Sequence, residues 1–419
     1  MFYILLLFIS WSALSANSLH SQISDLVHSS HEFSASSKEI KQKQEERSII
    51  EGKRLPTLSI NGYVGKEREK YSGFDEDYTK KELSFKISQA LVDFGYQSNS
   101  ESMANINVTQ GQLTQQILVS NLIFNGIESI INLAKSRLIL NYQKDKLVNL
   151  GKQIDIIGQA ALIGGESVNQ QKKIIIEEQQ NQVYLENLKY DTISAEITYY
   201  QLFKSKPNAN LNIPSKPSSY LPKSSQEALD YFIQHAPDYQ EKQLSVKAMH
   251  HHHQKNQAAA FPTITLTADH TISSNVSQFG QKEKIQSVLV NVDYDLPLSL
   301  STLNKLNSSQ ASLEKAHEEK LSFVDKKQIE ITQAWYKMQA KDQAVLASTA
   351  VLKQAKALYD DKISEHKKNN ISEIDLLKSE INYKQYVLNH KLETLSQISA
   401  QYELLNTISK LDLAMLMDG

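Results

Sequence analysis

The chain has 419 residues, and its 45 lysines and arginines nearly balance 47 aspartates and glutamates, for a formal charge of -2. That balance leaves no general basic surface for nucleic acid, while the length admits two or three ordinary domains with a buried core. The absence of cysteine excludes structural disulfides, thiolate chemistry, Cys-ligated zinc and a lipid-bearing N-terminal Cys.

The first element is an apolar run from Met1 to Ile9, followed by small residues up to Ala16. It reads as a secretion signal, residues 1–16, cut after Ser15 or Ala16. The competing reading is an N-terminal anchor, since no Lys or Arg precedes the run, but the run is short for a bilayer span. Nowhere else do about 18 apolar residues occur together, so the mature chain is either soluble outside the cytoplasm or crosses a membrane as a β-barrel.

After a first helix come strand candidates at 55–64 and 81–92, the first starting Leu55-Pro56-Thr57-Leu58. No proline then occurs until Pro207, which leaves room for long helices at about 98–163 and 166–203. Leu133, Leu140, Leu147 and Ile154, then Ile176, Val183, Tyr190 and Ile197, recur at the seven-residue period of a coiled coil. Polar, proline-rich residues 206–225 form a linker. Beyond it the order repeats: a helix, strand candidates at 261–272 and 285–296, then helices at about 303–366 and 371–410. Val324, Ile331, Met338, Val345, Leu352 and Tyr359, then Ile374, Ile381, Leu388, Leu395 and Tyr402, repeat the earlier heptads 205 residues on. Phe261-Pro262-Thr263-Ile264 matches Leu55-Pro56-Thr57-Leu58 at 206, so one residue was gained or lost in the strand region. The chain is an internal duplication, 17–205 and 226–419.

The strands are about ten residues long and partly alternating, as outer-membrane strands are. Alternation equally fits amphipathic hairpins packed on a soluble helical domain. Four strands cannot close a barrel, and an open edge in lipid leaves backbone groups unpaired, so spanning strands require several chains to share one barrel. A helix of about 60 residues extends about 90 Å, which suits a long tube with one end in a membrane.

The chemistry-bearing clusters are few. Asp360-Asp361 and Glu177-Glu178 lie on highly charged helices and read as solvated faces. There is no Gly-rich phosphate loop, nucleophile elbow or His-Glu-x-x-His motif, so no catalytic constellation and no cofactor is expected. His250 to His253 form one conspicuous tract. On a helix His250 and His253 share a face and with a third ligand could hold zinc or copper, although their place just before the Phe261 strand suits a structural role.

Two breaks interrupt the long helices. Gly164, Gly165 and Ser167, with Gln170, occupy the first; Asn369, Asn370, Ser372 and Asp375, followed by Leu376-Leu377, occupy the second. With the paired Pro-Thr strand starts, each preceded by a helix, this order resembles the TolC family of outer-membrane efflux and secretion channels over essentially the whole mature chain. The resemblance implies a mainly α fold with a small transmembrane β part. In it, duplicated coiled-coil hairpins form a trimeric α-barrel joined to a shared twelve-stranded β-barrel. It further implies a homotrimer in outer-membrane lipid, its helical part in the periplasm, that receives cargo from an inner-membrane transporter, ABC-type or proton-driven, through a periplasmic adaptor. The two breaks become the tip where the adaptor docks. Asp375 matches the acidic residue that lines the family's pore constriction, whereas Lys378 stands where a second acid would complete the ring. Read from spacing alone, Asp375 is a helix-start acid favoured by the helix dipole after a cap at Ser372, a role compatible with the first. A periplasmic adaptor and a soluble coiled-coil scaffold are the alternative functions.

Overall fold

The computed structural model describes residues 19–71, 73–162, 167–274, 282–294 and 300–416. The signal segment 1–16 and the break residues Gly164 and Gly165 lie outside them. The described chain holds eight α-helices and four strands: α1 (Leu19–Ser29), α2 (His31–Gly52), β1 (Thr57–Tyr71), β2 (Phe74–Val92), α3 (Tyr96–Leu162), α4 (Ser167–Phe203), α5 (Ser225–His235), α6 (Pro237–Ala258), β3 (Thr263–Ser274), β4 (Lys282–Asp293), α7 (Ser301–Lys367) and α8 (Glu373–Thr407).

The duplication holds element by element. α1 and α5 have 11 residues each, α2 and α6 have 22, and α3 and α7 have 67. The helix expected before each first strand is two helices in both halves. Ser30 Oγ accepts the Glu32 amide at the start of α2, and Pro237 opens α6 at the position where a missing N–H costs nothing. The strand register locates the one-residue difference. Arg68 faces Asp77 in the first hairpin and Ser274 faces Lys282 in the second. Eight residues separate the first pair along the chain and seven the second, so the change sits at the hairpin tip, where length is cheapest to alter.

The four strands form one antiparallel sheet in the order β1-β2-β3-β4. β1 and β2 continue past the expected strand ends, to Tyr71 and from Phe74, into charged residues whose composition suggests a loop. Cross-strand pairing of opposite charges holds this extension: Arg68 donates to both carboxylate oxygens of Asp75 at 2.6 Å, and Lys80 meets Glu67 at 2.9 Å. Ser273, Ser274, Lys282 and Glu283 likewise pair in the second hairpin, beyond its expected strand ends. Leu91 is an extra residue opposite β3, a bulge that turns Val92 onto the face of Ile264.

By internal contacts the chain divides into two units. Unit 1 comprises residues 1–34, 116–236 and 327–419. Its core is built from Ile23, Leu26 and Val27 of α1, Ile123, Ile127, Ile130 and Ile131 of α3, Phe232 of α5, Ile331 of α7, and Tyr402, Leu404 and Leu405 of α8. The linker 206–225 is packed rather than free. Pro214, Pro217 and Pro222 are buried, Tyr402 Oη donates to the Ser215 carbonyl at 3.0 Å, and burial pushes that phenol up to about 12. α3 is long and apolar enough to cross a membrane, yet more than half of its most apolar stretch is buried, which is the pattern of a core helix. Unit 2 comprises residues 35–115 and 237–326: the sheet, most of α2, α6 and the first turns of α3 and α7. Polar side chains join its helices, with Gln115 donating to Ser37 at 2.8 Å and Gln110 to Ser245 at 2.9 Å.

Gly126 of α3 is where α1 comes close. A Cβ there would lie 2.7 Å from Ile23 Cδ1 and 3.1 Å from Leu26 Cδ1. Gly126→Ala meets only flexible side-chain ends and gains helix propensity, so near-neutral stability is expected. Gly126→Val overfills the contact and is expected to cost about 1–3 kcal/mol, read as a lower thermal midpoint by circular dichroism.

Candidate functional site

The second helix break has defined geometry. Asn369 takes a left-handed φ of 60°. Its N–H donates to the His366 carbonyl at 2.9 Å, and that of Asn370 to the Glu365 carbonyl at 3.0 Å. Together these bonds make a Schellman ending to α7, with asparagine in place of the usual glycine. Ser372 then caps α8: its Oγ accepts the Asp375 amide at 3.2 Å and donates to Asp375 Oδ2 at 2.7 Å. Asp375 is thus a first-turn acid, favoured by the helix dipole and oriented by the capping serine. The first break offers less, since Ser167 is simply the first residue of α4 and its two glycines are outside the described residues.

Helical spacing sorts the start of α8 into two faces. Ile374 packs against the cluster of Leu150 and Ile157 from α3 and Ile174 from α4, and Leu377 is buried. Asp375 and Lys378 are exposed on the other side. No ion pair joins these two among the described residues, so both charges face solvent in a single chain. Two buried amides that sequence reading overlooked lock the arrangement: Asn149 donates to the Leu377 carbonyl at 2.9 Å, and Gln153 donates to Asn149 Oδ1 at 2.7 Å. Their only signal was a polar pair four residues apart beside the apolar Leu147, Leu150 and Ile154. Lys384 adds a 3.1 Å bridge to Asp145. The first turns of α8 are therefore fixed to α3 of the other repeat, although the exposed helix ends carry no core themselves.

In unit 2 the sheet has two chemically distinct faces. Leu58, Ile60 and Val64 of β1 share one side with Leu83, Phe85 and Ile87 of β2, Ile264, Leu266, Ala268 and Ile272 of β3, and Val288, Val290 and Val292 of β4. Most of these side chains are exposed. The opposite side carries Ser59, Asn61, Ser84, Lys86, Thr267, Asp269, Thr271 and Asn291, with Asn291 donating to Thr267 at 3.0 Å. Aromatic rings gather where strands meet helices: Phe94 stacks on Phe261 with centroids 5.0 Å apart, and Tyr294, the residue after β4, is exposed.

The histidine tract lies on α6. His251 Nδ1 meets Asn99 Oδ1 at 2.9 Å and His253 Nδ1 meets Ser309 Oγ at 2.8 Å, while His253 Nε2 contacts Gln257 at 2.9 Å. Both ring nitrogens of His253 are engaged, Nδ1 joining α6 to α7 and Nε2 within α6. Among the described residues no three His, Asp or Glu side chains are grouped to hold a metal, so His250 and His253 find no third ligand.

A chain of two helical hairpins related by duplication, each feeding two strands of one sheet, is a fold seen in solved outer-membrane channels. CusC, described for the conformational changes accompanying folding and transmembrane channel formation, matches with a TM-score of 0.79 at 14% identity, over 94% of this chain and 92% of its own. The CmeC outer membrane channel of Campylobacter jejuni gives 0.79 at 11% identity, over 96% and 88%. The outer membrane protein VceC of Vibrio cholerae gives 0.77 at 12%, over 93% and 96%. No protein-family model and no curated protein matches the chain. At these identities the likeness establishes the fold, and it is the fold that the TolC resemblance implies.

The left-handed position sets a test. Asn369→Gly should leave the thermal midpoint unchanged or slightly raised, whereas Asn369→Val should cost about 1–2 kcal/mol, because a β-branched side chain clashes with the following carbonyl at that φ.

Proposed function

We propose that this chain is one subunit of a trimeric outer-membrane channel of the TolC type, a passive exit duct with no catalytic role. The observation that carries this is the sheet: among the described residues its apolar face is uncovered and both its edges, β1 and β4, lack a neighbour. A soluble protein would cover such a face with a helix or loop. In lipid the face is satisfied, but the edges must then be closed by strands of other copies, and three chains would supply twelve. The polar side becomes the lumen, and the aromatic residues at the strand–helix junction suit a membrane interface.

The helices support the same assembly. Three of the four heptad series include side chains buried within the chain, among them Leu133, Ile331, Met338, Leu388, Leu395 and Tyr402. The fourth, on α4, does not: Ile176, Val183, Tyr190 and Ile197 are 55%, 66%, 72% and 61% exposed. A seven-residue apolar seam with no helix against it is half of a coiled coil, and a second copy supplies the other half. A periplasmic adaptor, with one hairpin rather than two duplicated ones, and a soluble scaffold both leave the uncovered sheet face without purpose.

The cargo route is a further part of the proposal. A periplasmic adaptor docks at the helix breaks, including Gly164, Gly165, Ser167, Asn369, Asn370 and Ser372, and links the channel to an inner-membrane transporter for type I protein secretion or small-molecule efflux. Threefold symmetry brings three Asp375 carboxylates around one axis at the closed tip, where like charges in a narrow passage attract cations.

Extraction is expected only with detergent, and the mass of the solubilised complex should equal three chains; a stable, water-soluble monomer would refute the channel. In planar bilayers Asp375→Asn should lower cation selectivity and weaken block by multivalent cations without loss of trimer. Lys378 lies on the same face and offsets part of the charge, so the effect should be larger in a Lys378→Asn background. Unaltered selectivity in both backgrounds would leave Asp375 as a capping acid alone.

A further inference from the structure

The apolar sheet face is not apolar to its end. Its register continues beyond Val64, Leu83 and Ile272 into Lys66 on β1, Lys81 on β2, and Lys284 and Lys282 on β4, all on the same side and all exposed. None of these four lysines has an ion-pair partner among the described residues. The acids of that side, Asp75 and Asp77, stand farther along the first hairpin and are engaged by Arg68 and Lys70. The other nearby acids, Glu67, Glu82 and Glu283, project from the opposite face, where Glu67 pairs with Lys80 and Glu82 accepts from Tyr63. Between the apolar and basic zones lies an open groove of about 610 Å³, lined by Val64, Leu83, Ile272, Lys81, Lys282 and Lys284.

Two properties of the lysines define their ligand. They border hydrocarbon-compatible surface on one side only, so the ligand has acyl chains that lie on the valines and leucines and an anionic head at their upper edge. They stand at the hairpin-turn end of the strands, whereas α2, α3 and α6 join the other end. With those helices in the periplasm, the turn end faces the outer leaflet, whose lipid in a Gram-negative outer membrane is a phosphorylated glycolipid. At the junction end the strand positions of that face, among them Leu58, Ile87, Ile264 and Val292, include no lysine among the described residues, and Phe94, Phe261 and Tyr294 lie just outside the strands there, so the two ends are chemically unlike. Simple snorkelling would ask for lysines at either end.

We propose that Lys66, Lys81, Lys282 and Lys284 form a binding site for the phosphates of outer-leaflet lipopolysaccharide, with its acyl chains seated on the adjoining apolar face. The site rests on the channel reading above. Because β1 and β4 are the edges that other copies must meet, lysines from both edges flank each seam of the closed barrel, and a bound polyanion would tie neighbouring copies together.

The test uses the purified detergent trimer, titrated with lipopolysaccharide, with the same glycolipid after enzymatic removal of its phosphates, and with phosphatidylglycerol, following the thermal midpoint of trimer dissociation. Lipopolysaccharide is expected to raise the midpoint. The fourfold variant Lys66→Gln, Lys81→Gln, Lys282→Gln and Lys284→Gln should need at least about tenfold more glycolipid for half the effect. The dephosphorylated glycolipid should act weakly on both proteins, and the fourfold Lys→Arg variant should behave as wild type. Should the glutamine variant fail to assemble, Lys282→Gln with Lys284→Gln alone should still weaken the response about threefold. Equal titration of wild type and glutamine variants overturns the site, as does full replacement of lipopolysaccharide by phosphatidylglycerol. Conductance of the same wild-type preparation separates the two ideas: a conducting trimer with lysine-independent binding removes only the lipid site, whereas absence of a trimer or of conductance removes the channel as well.

Discussion

Among the described residues no strand pairs with the outward N–H and C=O groups of β1 and β4, and this constraint governs the rest of the structure. A backbone polar group in hydrocarbon costs several kcal/mol unless it is hydrogen-bonded. On the proposed channel reading, in which the apolar face meets lipid, the sheet is finished by other copies of itself. The duplication makes that possible, because each repeat delivers one hairpin and two long helices in the same order. Joining copies then asks each edge to meet a strand like those it already has beside it.

The helical part faces the same incompleteness by another route. Packing within the chain satisfies three heptad series wholly or in part and leaves the α4 seam bare. A coiled-coil stripe gains its stability only when knobs enter the holes of a facing helix. The unsatisfied seam and the unsatisfied sheet edges thus make the same demand by different physics, one through apolar area and the other through backbone hydrogen bonds.

The helix break at Asn369 and Ser372 shows how little is needed to end one long helix and start the next. One left-handed asparagine stops α7 and one serine starts α8. The buried bond from Asn149 to the Leu377 carbonyl anchors the new helix to the other repeat. Asp375 and Lys378 are left outward because Ile374 and Leu377 are held inward. Their exposure follows from packing behind them rather than from any contact of their own.

Much of this could be read before any coordinates. The heptads, the missing prolines and the 205-residue offset fix long paired helices and a duplication, because those are local periodic signals that survive without tertiary context. The capping role of Ser372 and Asp375 was equally local. Other features depended on contacts between distant segments. The charged stretch 67–78 looks like a loop until Arg68 and Lys80 find their acids across the ladder. The break between α1 and α2 has only Ser30 to announce it. Asn149 cannot be recognised as an anchor until Leu377, 228 residues away, lies against it. Whether the strands carried a covered or an uncovered apolar face was undecidable from alternation, since alternation says that a face is apolar but not what rests on it. Only the register across all four strands, with no described element laid over it, decided that.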